Sequence, residues 1–463
     1  MKKPLGEHFR KDRRIKKAKS LICEALNDYQ KKIVNIQGSM ASQRRVYKKE
    51  MDHIGQLRGR PLFFPYIGSG LGNGSLVELA NGSIKYDFIT GIGVHLMGHS
   101  HPDIIEANID ASIEDIVMQG NLQFNSISGQ FMNLLTKEAC SGGAHLKHCF
   151  LTTSGAMANE NALKIIFQKK YPARRLLAFK GCFTGRTLGL AHITDRSDYR
   201  VGMPKTIQVD HIPFFDAQNP KESTKKTVTQ LNQLLKKNKG QYAGMCFELI
   251  QGERGSFAGN KEFFVAIMRI LKKQNIAILV DEIQTFGRTT RLFAFQHFGL
   301  DKYMDVVTVG KMSQACATLF SPEFNPQPGL LSQTFSASTS ALYSGKVTIE
   351  KLLKGGYFGN NGKIAKLSKR FIGHLEKIAG EYPDLVKGPY GIGAMIGFTY
   401  SDGSKEKTVA FLKALYSAGV MGFVAGHRPM RIRFLMPVGA VTIKDIDHVC
   451  KIIKNTLKVC DWK

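Results

Sequence analysis

The stretch Ile276-Ala277-Ile278-Leu279-Val280-Asp281 decides the fold class. A short run of five apolar residues, several of them β-branched, is typical of a strand in a mostly parallel sheet. The run ends in Asp281, and ligands of open α/β sheets bind beyond the carboxyl ends of the strands. We therefore expect the Asp281 carboxylate to face a cleft, although a helix-capping or solvated role is an alternative.

A second strand, Asp305-Val306-Val307-Thr308-Val309, delivers Gly310-Lys311, thirty residues beyond Asp281. A lysine at the end of a buried strand is costly unless it is used. A third strand, 148–152, runs into Thr152-Thr153-Ser154-Gly155-Ala156-Met157 and a helix that extends to about Tyr171. Small residues at such a turn let backbone amides bind a phosphate at the helix N-terminus, although simple capping is more common.

These three elements together favour one kind of chemistry. A phosphate turn, an aspartate for a pyridinium nitrogen and a lysine for a Schiff base are the parts that a pyridoxal-phosphate enzyme needs. Around them, residues 125–345 alternate short strands with helices, as in an α/β domain. The strands predicted most clearly are 148–152, 176–179, 276–281 and 305–309.

The flanking segments predict a smaller second domain. Residues 13–37 show helical spacing, and we expect their apolar stripe to pack on the body of the protein. Residues 76–87 predict a hairpin that turns at Asn81-Gly82. Further along, helices are predicted around 346–381 and 404–418, and strands near 392–399 and 431–435. The expected division is a basic helical extension (1–60), the N-terminal part of the small domain (61–124), a large cofactor-binding domain (125–345) and the C-terminal part of the small domain (346–463).

Composition excludes several classes of protein. The 463 residues are 43% hydrophobic and 10% aromatic, which is enough for a full-sized core. No apolar run approaches the roughly 18 residues of a membrane span, and the first residues do not form a secretory signal, so we expect a cytoplasmic protein. The eight cysteines include no Cys-x-x-Cys pair, which indicates reduced thiols.

The chain is strongly basic, with a net charge of +28, and residues 1–60 hold 17 Lys or Arg against 6 Asp or Glu. No nucleic-acid module accompanies this charge, so we expect no specific nucleic acid and an attraction for anionic substrates. Two sets of residues have spacings that resemble those of metal ligands, but we expect neither to bind a metal. They are His95, His99 and His101, and Cys140, His145, His148 and Cys149.

Seven segments, in chain order, resemble the motif series of class III pyridoxal-phosphate aminotransferases. The segments are His99-Ser100-His101-Pro102, Ser154-Gly155-Ala156, Gly181-Cys182-Phe183-Thr184-Gly185-Arg186-Thr187, Ile250-Gln251-Gly252-Glu253, Asp281-Glu282-Ile283-Gln284-Thr285, Gly310-Lys311 and Ile432-Arg433-Phe434. The resemblance runs from about residue 70 to the end. The residues in these segments are most similar to those of the lysine 6-aminotransferase and 4-aminobutyrate aminotransferase branch. It implies a fold-type I pyridoxal-phosphate transferase, with a mostly parallel large domain and a smaller α+β domain.

The resemblance also implies a role for each matched residue. Lys311 would carry the Schiff base and move protons, and Asp281 would hold the pyridine nitrogen. Other cofactor contacts are implied for Ser154, Gly155 and Ala156 (phosphate), Phe183 and Ile283 (ring faces), Gln284 (phenolic oxygen) and Thr334 (phosphate of a neighbouring subunit). Arg186 and Arg433 would bind substrate carboxylates, and Glu253 would cover Arg433 when an ω-amine is bound.

The expected reaction is transfer of a terminal amine to 2-oxoglutarate by a homodimer or a dimer of dimers. Lysine, 4-aminobutyrate, ornithine and acetylornithine all fit as donors. Two alternatives are an aminomutase or racemase of the same fold and a non-catalytic binding protein with a basic surface. The sequence departs from the family pattern at Thr184, at Leu249 and at Ser336-Ala337-Ser338-Thr339, and the stretch after Gln284 is one residue shorter.

Overall fold

The computed structural model describes residues 4–460, which form two compact units. Unit 1 contains the described parts of 1–115, 366–389 and 396–463, and unit 2 contains 116–365 and 390–395. The four-segment division expected from the sequence stays a prediction, and residues 1–3 of its basic extension lie outside the described residues.

Helices account for much of residues 4–460. They are α1 (Leu5–Arg10), α2 (Arg13–Gln30), α3 (Arg44–Leu57), α4 (Thr90–Gly93), α5 (Pro102–Ser112), α6 (Ser126–Cys140), α7 (Gly155–Lys169), α8 (Leu190–Ile193), α9 (Pro220–Lys237), α10 (Lys261–Lys273), α11 (Ala294–His297), α12 (Thr339–Lys354), α13 (Lys363–Glu381), α14 (Lys405–Ser417) and α15 (Ile443–Val459). Of these, α4 is a short turn whose residues Gly91 and Ile92 have left-handed backbone angles.

The strands over the same residues are β1 (Gly68–Asn73), β2 (Leu76–Leu79), β3 (Ile84–Asp87), β4 (Met118–Gln119), β5 (His148–Thr152), β6 (Arg175–Phe179), β7 (Gln208–Ile212), β8 (Tyr242–Phe247), β9 (Ile250–Gln251), β10 (Phe257–Ala258), β11 (Ala277–Asp281), β12 (Val306–Val309), β13 (Cys316–Phe320), β14 (Ala337–Ser338), β15 (Val386–Ile392), β16 (Met395–Tyr400), β17 (Val420–Met421), β18 (Phe423–Gly426) and β19 (Met430–Leu435).

Unit 2 is built on a seven-stranded sheet of order β5-β13-β12-β11-β8-β6-β7. Each pair of adjacent strands in the part of the sheet from β12 to β7 is parallel, whereas β13 is antiparallel to both of its neighbours, β12 and β5. Six strands therefore share one direction, which confirms the α/β class and the mostly parallel sheet. Because parallel strands end at the same edge, the carboxyl ends of β5, β6, β8, β11 and β12 meet there. This edge carries the chemistry described below.

The buried centre of this sheet explains why its middle strands were readable from sequence. All five residues of β11 and all four of β12 are buried, and apart from Asp281 and Thr308 they are all apolar. The predicted strands at 148–152, 176–179, 276–281 and 305–309 are confirmed. Strands β7, β8 and β13 were not among the strands predicted clearly from the sequence. Strand β13 follows β12 after a short turn in which Gln314 has a φ of 62°.

In unit 1 the predicted hairpin is confirmed. Strands β2 and β3 pair antiparallel, with Leu76 opposite Tyr86, and the glycine-rich segment 68–73 adds β1 to the same sheet. A second four-stranded sheet, of order β15-β16-β19-β18, belongs mainly to unit 1.

The helix predicted over residues 13–37 begins at Arg13 as expected, but the prediction of its end was wrong. The helix ends at Gln30, because the Asn73 side chain donates to the carbonyls of Gln30 and Ile33 at 3.1 and 3.0 Å and directs the chain away. Of the expected apolar stripe, Ile33 is buried and Ile15 and Leu26 are half-buried, whereas Ile22 and Tyr29 are exposed. Helix α2 also contacts α5 through Lys19, whose ammonium lies 2.8 Å from Glu106 and from Asp110.

The expected strand at 392–399 is two strands, β15 and β16, separated by a turn at Gly393. This residue has a φ of 62°, and a Cβ here would lie 2.0 Å from the Arg288 carbonyl oxygen. The helical region 346–381 is likewise divided into α12 and α13, which the segment from Gly355 to Gly362 separates. Glycine supplies both breaks, and the strand prediction crossed one of them.

Candidate active site

One pocket in unit 2 gathers most of the predicted site residues. Its volume is about 320 Å³, and it lies at the edge where the parallel strands end. The predicted residues that line it are Gly155, Ala156, Phe183, Arg186, Asp281, Ile283, Gln284 and Lys311. A larger cavity of about 1050 Å³ lies in unit 1 along α3 and has none of these residues.

Asp281 is the buried carboxylate of the pocket. It ends β11 and is only 6% exposed. Its Oδ1 accepts from the Ile283 backbone N–H at 2.9 Å, and its Oδ2 accepts from Asn159 Nδ2 at 2.7 Å. Burial raises the pKa of Asp281 to about 6, while these two hydrogen bonds and the charge of Lys311 oppose the rise. A positive charge placed beside this carboxylate would therefore be strongly stabilised.

Lys311 follows β12 in a strained conformation. Its φ of 54° lies in the left-handed region, which is uncommon for residues other than glycine. The preceding Gly310 is fully extended, and a Cβ there would lie 3.0 Å from the side chains of Cys316 and Ile283. Backbone strain of this kind persists where surrounding structure enforces it and is frequent at functional sites. The result is a lysine that enters the same pocket as Asp281.

The phosphate turn predicted at Ser154 forms the start of α7. Ser154 is the N-cap residue, and its Oγ accepts from the Met157 backbone N–H at 3.2 Å. Gly155 is required by close packing, because a Cβ there would lie 2.9 Å from Ile283 Cγ2. The capping role and the positive end of the helix dipole are both present, so an anion can bind beside the pocket.

Six residues that line the pocket were missed or given no role from the sequence, and three of these, Asn159, Glu248 and Thr184, form hydrogen bonds that shape it. Asn159 lies one helical turn after Gly155, and its Nδ2 donates to Asp281 and to the Thr184 carbonyl at 2.8 Å, while its Oδ1 accepts from Thr308 at 2.7 Å. The spacing of four residues from Gly155 was a signal that could have found it. Glu248 is buried and accepts from the Phe183 backbone N–H at 2.6 Å.

Glu248 and Thr184 shape the pocket around Phe183. Burial and the negative charge of Asp281 raise the pKa of Glu248 well above its usual range. Thr184, one of the departures from the family pattern, is buried, and its backbone N–H donates to Thr194 Oγ1 at 3.0 Å. Hydrogen bonds therefore fix the backbone at Phe183, through Glu248, and at Thr184, through Thr194. They hold the Phe183 ring at the pocket wall.

Gln284 and Arg186 complete the lining in different ways. The Gln284 side chain lies against Gly252, where a Cβ would come within 2.1 Å of Gln284 Oε1. Arg186 is exposed, and its guanidinium carbon lies 4.0 Å from the centre of the Tyr199 ring. The pocket thus has a buried polar floor and a cationic rim.

Four predicted residues do not line this pocket: Ser154, which caps α7 beside it, and three that lie elsewhere. Thr334 is an exposed loop residue of unit 2, just before β14. Glu253 follows β9 in unit 2 and adds negative charge near Arg196 and Glu248. Arg433 belongs to β19 of unit 1 and is 1% exposed. The roles implied for these three residues stay predictions.

The variant turn after Thr334 has a structural explanation. Ala337 and Ser338 form β14, which pairs with β4 through Gln119. The fully buried Gln119 side chain donates to Thr339 Oγ1 at 2.8 Å, and Ser338 caps α12. Serine and threonine at these positions satisfy a buried amide and a helix end, tasks that need their hydroxyl groups.

The histidine group considered as a metal site is engaged otherwise. His99 Nε2 lies 2.8 Å from Asp87 Oδ2, and His95 packs against the His99 ring at 5.0 Å. Among residues 4–460, no three His, Cys, Asp or Glu side chains are grouped to hold a metal ion. Over the same part of the chain, every helix is too short or too polar to cross a membrane.

The fold and the pocket define a pyridoxal-phosphate enzyme of fold type I. Asp281 fits the cofactor, because the negative charge of its buried, hydrogen-bonded carboxylate would favour a protonated ring nitrogen beside it. Lys311 in the same pocket and the exposed start of α7 fit the aldehyde and phosphate groups. When bound, pyridoxal phosphate supplies an electron sink for the substrate's bonding electrons.

The chain belongs to the class III aminotransferases, whose family model matches residues 67–457. It is 27% identical to the acetylornithine aminotransferase of Archaeoglobus fulgidus over 83% of this chain and 94% of that protein. The acetylornithine aminotransferase of Methanocaldococcus jannaschii is 30% identical over 70% and 79% of the two chains. Lysine aminotransferase from Mycobacterium tuberculosis, solved in its internal aldimine form, has the same fold, with a TM-score of 0.79, 20% identity and coverage of 89% and 99%.

Family membership confirms the enzyme class, the fold class and the cofactor that the sequence predicted. It also excludes the non-catalytic alternative. An amino donor and a keto acid are the two kinds of substrate that an aminotransferase uses.

Proposed function

We propose that this enzyme transfers the terminal amino group of an ω-amino acid to 2-oxoglutarate. The observation that carries the proposal is the meeting of Lys311, Asp281 and Arg186 around one pocket. The first two supply the catalytic amine and the ring-nitrogen partner, and the third supplies a cation for a substrate carboxylate. The acetylornithine aminotransferases among the relatives act on a donor of this class.

Each pocket residue has a defined task in this proposal. The Lys311 Nζ accepts a proton from the substrate carbon and later returns it, which is general acid–base catalysis by a positioned amine. The Asp281 carboxylate holds a proton on the ring nitrogen, and Asn159 and the Ile283 N–H fix that carboxylate in place. Phe183, Ile283 and Gln284 line the same pocket, where the first two would hold the cofactor ring and Gln284 would bind its phenolic oxygen.

The remaining contacts belong to the anionic ends of cofactor and substrate. Ser154, Gly155 and Ala156 bind the phosphate at the N-terminus of α7, with Thr334 contributed by a neighbouring subunit. Arg186 binds a substrate carboxylate through its planar fork. Arg433 is proposed for the α-carboxylate of glutamate, and Glu253 for covering Arg433 when the donor is an ω-amine. Homodimer assembly and a cytoplasmic location are part of the same proposal.

The test is a donor screen with 2-oxoglutarate as acceptor and glutamate formation as readout. Lysine, 4-aminobutyrate, ornithine and acetylornithine are compared, and we expect at least one to be turned over. The Lys311→Ala variant should lose the visible absorbance of the holoenzyme and essentially all turnover, because the same amine binds the cofactor and moves the proton. If all four donors fail while a single amino acid is racemised or isomerised, the alternative reaction of the same fold is correct.

A further inference from the structure

The ring of Tyr199 carries two guanidinium groups beside the pocket. Tyr199 ends a short 3-10 turn, Ser197–Tyr199, to which the sequence analysis gave no role. The guanidinium carbon of Arg186 lies 4.0 Å from the ring centre, and that of Arg196 lies 4.4 Å from it. Both distances are well inside the roughly 6 Å range of cation–π attraction.

The two arginines differ in how their charges are balanced. Arg196 donates from Nε and Nη2 to the two carboxylate oxygens of Asp198 at 2.9 and 2.6 Å. The hydrogen bonds that Arg196 donates to Asp198, together with the charge of Glu253, raise the pKa of Arg196. The Arg186 side chain, in contrast, makes no hydrogen bond or ion pair with any residue between 4 and 460, although it lines the pocket. One guanidinium on the ring is neutralised, and the other keeps its donors for a ligand.

Its position over the Tyr199 ring suits the Arg186 guanidinium to this task. A guanidinium over an aromatic ring uses its planar face, and its N–H donors point outward in that plane. The fork can then meet a carboxylate through two parallel hydrogen bonds without leaving the ring. Phe183 supports the arrangement, since its ring is perpendicular to that of Tyr199 at 6.5 Å and lies 5.8 Å from the Arg186 guanidinium carbon.

We propose that Tyr199 is a positioning residue that holds the Arg186 guanidinium ready for the substrate carboxylate. The inference rests on the carboxylate-binding role proposed above for Arg186. A long arginine side chain is otherwise free to adopt many rotamers, and each productive encounter would have to order it. The Tyr199 ring removes that requirement, so it acts on substrate affinity and leaves the chemical step unchanged.

The experiment measures binding of glutarate to the holoenzyme by calorimetry, together with kcat and KM for the best ω-amino donor. Glutarate is a dicarboxylate that has neither amine nor keto group, so its binding requires no turnover. Tyr199→Leu should weaken glutarate binding about three- to five-fold and raise KM by a similar factor, with kcat within two-fold of wild type. Tyr199→Phe keeps the ring face and should bind like wild type.

Two controls separate positioning from a general structural effect. Tyr171→Leu removes a 75% exposed tyrosine beyond the C-terminal end of α7, the end away from the pocket, and should leave binding unchanged. In an Arg186→Gln background, Tyr199→Leu should cause no further loss, because the ring acts through the guanidinium. Tyr199→Met replaces the leucine variant if the latter does not fold.

The inference would be overturned if Tyr199→Leu bound glutarate as tightly as wild type, or if Tyr199→Phe were as weak as Tyr199→Leu. An active wild-type enzyme that does not bind glutarate would overturn it as well, with the proposed reaction left intact. Conversely, Tyr199-dependent glutarate binding in an enzyme that uses no ω-amino donor would overturn the proposed donor class alone.

Discussion

Burial and hydrogen bonding act on the pKa of Asp281 in opposite directions. Burial raises the pKa to about 6, and the amide of Asn159 is one of the groups that resist the rise. Asn159 is itself held by Thr308 and by the Thr184 carbonyl, so its amide orientation is fixed. At the scale of single residues, the polar floor of the pocket is therefore a network in which every member orients the next.

Asn159→Ala tests this network. Loss of a donor that favours the ionised carboxylate should raise the pKa of Asp281 further. Since the reaction needs the carboxylate form, the acidic limb of the kcat profile should move to higher pH, and activity at neutral pH should fall about ten-fold or more. The measurement is kcat against pH for wild type and variant.

The matched control for this profile is Asn161→Ala. Asn161 is also buried in α7, two residues further along, but makes no hydrogen bond to Asp281. Its variant should keep the wild-type acidic limb. A profile that is unchanged in Asn159→Ala, or shifted equally in both variants, would show that Asn159 does not control Asp281.

At the scale of elements, a buried lysine completes the end of a helix in unit 1. Lys85 of β3 is 8% exposed, and its Nζ donates to the Tyr416 carbonyl at 2.8 Å, in the last turn of α14. The ammonium also lies 4.4 Å from the centre of the Tyr416 ring. Burial lowers the pKa of Lys85, and the negative end of the helix dipole offsets part of that cost.

We expect Lys85→Met to loosen the C-terminal turn of α14. The Tyr416 carbonyl would lose the ammonium and keep the Gly419 backbone N–H, at a cost of about 1 kcal/mol. Amide hydrogen exchange over residues 405–419 should therefore become faster. Lys413→Met, an exposed lysine on the same helix, serves as the control and should leave exchange unchanged. Equal exchange in Lys85→Met and wild type would contradict this role.

At the scale of the whole molecule, the proposed homodimer has a consequence that mixed subunits can reveal. Thr334 is exposed in a loop and does not line the pocket of its own chain. If it completes the phosphate site of a neighbouring subunit, Thr334→Val should weaken cofactor retention. Symmetric two-fold assembly is the commonest oligomeric arrangement, which agrees with this expectation.

Subunit exchange between Thr334→Val and Lys311→Ala provides the measurement. In a mixed dimer, the one site with Lys311 receives its threonine from the Lys311→Ala subunit. That site should regain the wild-type affinity for pyridoxal phosphate that the Thr334→Val homodimer lacks. A fully active monomer, or a mixed dimer that keeps the affinity defect, would rule out the shared site.

The sequence alone determined the central strands, the cofactor class and most of the pocket lining. The apolar run before Asp281 and the strand before Lys311 are local patterns, and their direction in a parallel sheet places both ends at one edge. Family motifs then identified Gly155, Phe183 and Ile283, because each motif is a continuous segment of the chain.

Only the tertiary structure decided the contacts that join distant segments. Asn159 meets Asp281 across 122 residues, and Glu248 meets Phe183 across 65, so neither pair follows from local spacing. The end of helix α2 also depends on a distant residue, because Asn73 of strand β1 donates to the Gln30 carbonyl there. Local periodicity predicts which face of a helix or strand is buried. Hydrogen bonds between distant residues depend on how those elements pack against each other, which is determined only in the folded chain.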